Sequence, residues 1–133
     1  MHLKKLLLAA LAVGMAINVL DVFVHGMLFE NMYYSQFPIF RRDNTVPFLV
    51  LGDFMKALAF VWVYDRVHGS FAAGAAGGAA FGLYAGVLVQ FPNNIFLHLL
   101  ITDFPYGLTW AWTIYGVVLA VVAGALAGAI YKR

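Results

Sequence analysis

The chain has 133 residues, 64% of them hydrophobic and only 11% charged, with a mean hydropathy of +0.87. Soluble domains carry about 25% charged residues, so a chain this small and this apolar cannot cover itself for water, and its solvent is lipid. The formal charge of +2 comes from basic residues split among segment ends, which excludes a nucleic-acid-binding face. The absence of cysteine excludes thiol catalysis, disulfide relays and thiolate metal sites.

Four apolar segments, about 6–28, 46–65, 71–91 and 106–130, are each close to the ~20 residues a helix needs to cross the hydrocarbon core. They predict one all-α domain over residues 1–133, an antiparallel bundle of four transmembrane helices. The opening "MHLKKLLLAALAVGMA" has a basic start, with Gly14 and Ala16 at the spacing of a signal-cleavage site. The apolar stretch continues well past Ala16, to Leu28, so the segment is expected to stay as the first span. An even number of spans puts both termini on one side with Lys4, Lys5, Arg66, Lys132 and Arg133, against Arg41 and Arg42 on the other. Cytoplasmic loops carry the Lys/Arg excess, so both termini are expected to be cytoplasmic. Trp62, Tyr64 and Tyr131 then fall at the inner interface, and Tyr106 and Trp110 at the outer one.

The first span carries Gly14, Asn18, Asp21 and His25, spaced four, three and four apart and therefore on one helical face. At 1.5 Å per residue, Asp21 lies roughly 20–25 Å from the inner end, in the outer half of the membrane. An ionisable group near the bilayer centre costs about 2.5–3.5 kcal/mol on insertion scales, so such residues face a bundle interior or a water-filled cavity and have partners. The connection that follows, residues 29–45, is the longest. Its Tyr33, Tyr34, Phe37 and Phe40 are expected to lie along the membrane surface, as an anchor or as a lid.

The second span brings Asp53 and Lys56, three apart and so neighbours. Running back from the outer surface, it puts Asp53 about 12 Å deep and Lys56 near the middle. In the short turn "DRVHGS", Ser70 is placed to cap the third helix and His68 reads as solvated.

The third span carries Gly74, Gly78, Gly82 and Gly86 at intervals of four, and the fourth answers with Gly116, Ala120, Gly124 and Gly128. Lipid tails are as apolar as leucine, so membrane helices associate through the close contact that small residues permit. The two spans are expected to pack tightly; a glycine face between subunits is the alternative. Pro92 removes the hydrogen bond to Leu88 and disfavours helix at Phe91. A straight helix from Phe71 to Ile101 would be about 46 Å long, more than the core needs. The third span is therefore expected to kink or break near Pro92, with Asn93 or Asn94 capping a short interfacial segment over 93–101.

Gln90, Asn93 and Asn94 arrive at the depth of Asp21 and Asp53, with His98 and Asp103 above them. This agreement predicts a polar pocket opening outward. As a site for a small solute or ion, it has Asp21 as titrating carboxylate, His25 as relay, Lys56 as countercharge beside Asp53, and the amides as neutral ligands. A four-span bundle is narrow, so a pathway calls for a homodimer or larger. The same groups read alternatively as interhelical glue in a structural or accessory subunit. A third reading is a metal or haem site built from Asp21, His25, Asp53 and His98. No cofactor is singled out, and no nucleophile marks an enzyme.

"FGLYAGVLVQFPNN" followed by "GLTWAWTIYGVVLAVVAGALAG" resembles the second half of certain small bacterial four-helix integral membrane proteins of unknown function. Those proteins also carry an aspartate late in the first span, here Asp21, a polar break after a glycine-spaced third span, here Asn93 and Asn94, and an aromatic-Gly pair, here Tyr115 and Gly116. Where they have an acidic residue before the asparagine, this chain has Pro92. The resemblance implies a four-helix fold in a bacterial inner membrane and no activity.

Overall fold

The computed structural model describes residues 2–43 and 45–132. Arg133, counted above among the inner-side basic residues, and Asn44 of the predicted outer loop lie outside them, as does Met1. The chain forms α1 (Leu3–Phe23), which runs without a break into a π-helical segment, Val24–Tyr34; α2 (Val46–Val67), ending in a 3-10 turn at His68–Ser70; α3 (Ala75–Leu100); and α4 (Tyr106–Ile130). No strand occurs among the described residues. All four helices are long and apolar enough to cross a membrane, the first counted over Leu3–Tyr34. The fold is that of an all-α, multi-pass membrane protein.

The core follows from helical spacing. Leu6, Ala9, Val13 and Ile17 fall three or four apart on α1 and form one buried face. That face packs on Ala57, Val61 and Tyr64 of α2 and on Leu119, Ala123 and Ala127 of α4. A second, aromatic cluster around Phe29, Phe104 and Leu108 gathers at the end of the bundle that holds the connections 35–45 and 101–105. Phe40 and Phe104, one from each connection, have ring centroids 6.4 Å apart.

Small residues decide how closely α3 and α4 approach. As α3 advances through Gly78, Gly82 and Gly86, its partners on α4 recede through Gly124, Ala120 and Val117. A Cβ added at Gly78 would overlap the carbonyl oxygen of Gly124, and one at Gly124 would overlap that of Gly78, so the two backbones touch directly. The glycine stripe of α3 is thus used within the chain rather than left as a face for a second copy.

Several expectations are corrected. The first helix does not stop near Leu28 but continues to Tyr34, because its last turns bond five residues back: Ser35 N–H reaches Glu30 O at 3.0 Å. The outer connection is correspondingly shorter than 29–45. No break occurs at Pro92, and no separate helix starts at Asn93; α3 runs through to Leu100. Pro92 lies on an exposed face of the helix, while Asn94 beyond it is bonded to both Gln90 and Thr113 of α4. Ser70 does not cap α3, which starts at Ala75 behind Gly74 at φ 78, a backbone conformation open to glycine. Tyr64 and Tyr131 are buried in the core instead of facing lipid, with centroids 5.6 Å apart, and His68 packs against both.

Gly124→Val is expected to lower the stability of the detergent-solubilised protein by about 2–3 kcal/mol through overpacking. Gly52→Val, where an added Cβ meets nothing within 4 Å, should change it by less than about 1 kcal/mol. Thermal unfolding of the two variants side by side checks the pair.

Candidate functional site

The π-helical segment positions the first wall of the site. His25 and Tyr34 are nine residues apart, two and a half turns of an α-helix and so on opposite faces. In a π-helix, with roughly 4.4 residues per turn, nine residues complete about two turns and the two side chains share a face. His25 Nδ1 and Tyr34 Oη lie 2.6 Å apart with their rings nearly parallel. Trp112 on α4 donates its indole N–H to the same Tyr34 oxygen at 2.8 Å. An indole nitrogen can only donate, so Tyr34 accepts from Trp112, while the direction of its bond with His25 Nδ1 follows the imidazole tautomer. Phe40 closes the top, 4.8 Å from Tyr34 and 6.4 Å from Trp112 between centroids.

Below this roof, Asp21 is held from two sides. Tyr115 on α4 donates its hydroxyl to Asp21 Oδ1, and Lys56 Nζ on α2 stands 3.9 Å from Oδ2. Lys56 makes its close pair with Asp53 Oδ1 at 2.8 Å. Two carboxylates against one ammonium leave this set with one net negative formal charge.

The opposite wall is α3. Asn94, only 2% exposed, gives one amide hydrogen to Gln90 Oε1 at 3.3 Å and the other to Thr113 Oγ1 at 3.1 Å. Thr113 passes its own proton to the Thr109 carbonyl at 2.8 Å, so the bridge between α3 and α4 is satisfied along its length. Asn93 donates to Asn94 Oδ1 at 3.5 Å, the outer limit of a hydrogen bond. Gln90 fits because position 116 is glycine: a Cβ there would overlap the Gln90 carboxamide. Gly116, expected to serve helix packing, therefore makes room for a polar side chain.

These walls enclose a cavity of about 260 Å³. Of the residues expected to form a pocket, Asp21, His25, Lys56, Gln90, Asn93 and Asn94 line it. Asp53 stands behind Lys56 and does not line the cavity. His98 does not line it either; its ring packs on Tyr106, centroids 5.1 Å apart, and its Nδ1 is buried without a partner among the described residues. Three functional residues were missed in the sequence: Tyr34, read only as part of a surface loop, and Trp112 and Tyr115. A signal was present for the last two. Trp112, Tyr115, Gly116 and Leu119 fall at i, i+3, i+4 and i+7, a single face of α4.

The residues expected as a metal set are not brought together in one cluster. Among the described residues no three of His, Asp or Glu gather as ligands. Tyr115 occupies one oxygen of Asp21, Tyr34 engages His25 Nδ1, and His98 faces Tyr106 instead of the cavity.

Fold and site together define a multi-pass helical membrane protein with a polar chamber among its four helices. Comparison of the chain with known protein families, curated proteins and solved structures finds no match.

Asp21→Asn and Tyr115→Phe should each destabilise the protein, and the double variant should lose less than the sum. A coupling of about 0.5–3 kcal/mol is expected for groups in direct contact. Strict additivity in a double-mutant cycle by thermal unfolding would show that the two do not interact.

Proposed function

We propose that the protein binds a small cationic solute or ion in the chamber, within the outer leaflet half of a bacterial inner membrane. The observation that carries this reading is Asp21. One of its oxygens is fixed by Tyr115, the other has, among the described residues, Lys56 at 3.9 Å, and Lys56 is already paired with Asp53. A bound cation completes the charge balance that this set lacks. In this reading the helices run antiparallel with both termini cytoplasmic, supported by the receding partners of α3 along α4 and by the Lys/Arg excess at the termini. The chamber then opens outward under the aromatic roof. Passage across the membrane calls for a homodimer or larger, because a bundle of four spans is narrow.

A second reading, a structural or accessory subunit, draws on the fact that Tyr115–Asp21 and Asn94–Thr113 each tie two helices together. Interhelical hydrogen bonds in membranes average only about 0.6 kcal/mol, which is little return for two carboxylates and an ammonium at this depth.

Thermal unfolding of the purified protein against alkali cations, ammonium and methylammonium separates the two. A ligand present at 100 times its Kd raises stability by about 2.7 kcal/mol. At least one of these cations is expected to stabilise the wild type, and Asp21→Asn should abolish that shift. If none does, or if Asp21→Asn keeps the full shift, the binding reading fails and the glue reading stands.

A further inference from the structure

We propose that the occupant of the chamber is a membrane amphiphile, a single hydrocarbon chain ending in an ammonium group, with its head beside Asp21 and its tail in an apolar slot that opens from the chamber toward the bilayer. This inference rests on the reading of the chamber as a cation site and names its ligand class.

The slot is a second cavity of about 140 Å³. Ile17 of α1, Phe60 of α2, Ala85 and Val89 of α3, and Ala120 and Ala123 of α4 border it. Lys56, Gln90, Gly116 and Leu119 border both cavities, so the two adjoin at these residues. Every helix gives the same order along the two cavities. On α1 the slot residue Ile17 comes one turn before Asp21; on α3 Ala85 and Val89 precede Asn93 and Asn94; on α4 Ala120 and Ala123 follow Tyr115. The slot therefore lies one to two helical turns deeper than the charged set, toward the membrane centre.

The chemistry changes sharply between the two. Beyond Lys56 and Gln90 at the junction, the slot has only aliphatic, aromatic and glycine walls. An apolar cavity of ~150 Å³ stays dry and takes a benzene-sized guest, so this one suits about six carbons of a chain. A hydrated ion has no use for such a space, whereas a hydrocarbon tail does. The remaining chain has a way out. Rings join α2 to α3 below the slot, where Phe60 and Tyr64 lie 5.0 Å and 5.2 Å from Phe81. Val89 at the slot wall is 58% exposed, which marks the lateral mouth between α2 and α3.

The head group is assigned by charge. Asp21 Oδ2 lies outside hydrogen-bond distance of Lys56, and an ammonium supplies both the donor and the missing positive charge. Trp112 and Tyr115 border the same space, and aromatic rings attract cations. A sulfate or carboxylate head would add a second uncompensated negative charge at this depth.

The test uses the full chain in phosphatidylcholine nanodiscs with dodecylammonium carrying a photoreactive diazirine at its sixth carbon. Labelling is expected to concentrate on slot residues such as Ala85, Val89 and Ala123. It should fall at least tenfold with excess unlabelled dodecylammonium or in Asp21→Asn. Val89→Trp, a change at an exposed position outside the chamber, should abolish slot labelling and keep the stabilisation by methylammonium. If methylammonium stabilises the wild type but the label spreads without competition over lipid-facing residues such as Phe48 and Leu99, the amphiphile inference is overturned and the cation site survives. If methylammonium has no effect and dodecylammonium labels nothing specifically, both fall. Competition by dodecyl sulfate as strong as by dodecylammonium would overturn the assignment of the head group.

Discussion

A carboxylate held within a bundle of membrane helices has to find both a proton donor and a positive charge among its neighbours, and most of this structure can be traced to how Asp21 does so. The donor comes from α4 through Tyr115 and the charge from α2 through Lys56. Three helices are thereby brought to one level, and Asp53 follows because Lys56 needs its own close partner. The apolar seam of α1 below Asp21 packs by helical periodicity alone and would tolerate small slips along its axis. The polar set does not, since a slip of one residue turns Asp21 away from its partners by about 100°.

The fourth helix of the site, α3, is placed by a different force. Its small face is spent on backbone contact with α4 at Gly78 and Gly82, which carries no polar group and no long side chain. Ala85, Gly86 and Val89 then offer little bulk toward α2, and Phe60 and Phe81 meet below them. The void between the hairpin and the α1–α2 pair is therefore a consequence of small residues used twice, for close approach to α4 and for space beside it. Asn94 holds its height through Thr113 and Gln90, on either side of the proline in the chain's longest uninterrupted α-helix.

The π-helical segment does for the roof what glycine does for the slot. By changing the number of residues per turn it moves Tyr34 onto the face of His25, where Trp112 can reach it. Such segments are rare, and their concentration at functional sites has this geometric basis: they re-aim side chains without ending the helix. The aromatic cluster over the chamber, continued by Phe40 and Phe104, covers the hydrogen-bond chain at this end of the bundle.

Composition and hydropathy by themselves determined the class, the number of spans and the level of the polar groups, because each depends only on residue type and on a fixed rise per residue. Asp21, His25, Lys56, Gln90, Asn93 and Asn94 were legible as one layer for that reason. Tyr115, Trp112 and Tyr34 were not, because an aromatic residue in a membrane protein reads equally as belt, core or ligand until its neighbours are known. Tyr64 and Tyr131 show the same ambiguity resolved the other way, as core. Only the tertiary structure decided that Pro92 would be carried within a continuous helix, that His98 would face Tyr106, and that Gly116 would make room for Gln90. These outcomes depend on which side chain occupies a shared volume, a quantity set by how helices approach one another and absent from any single helix.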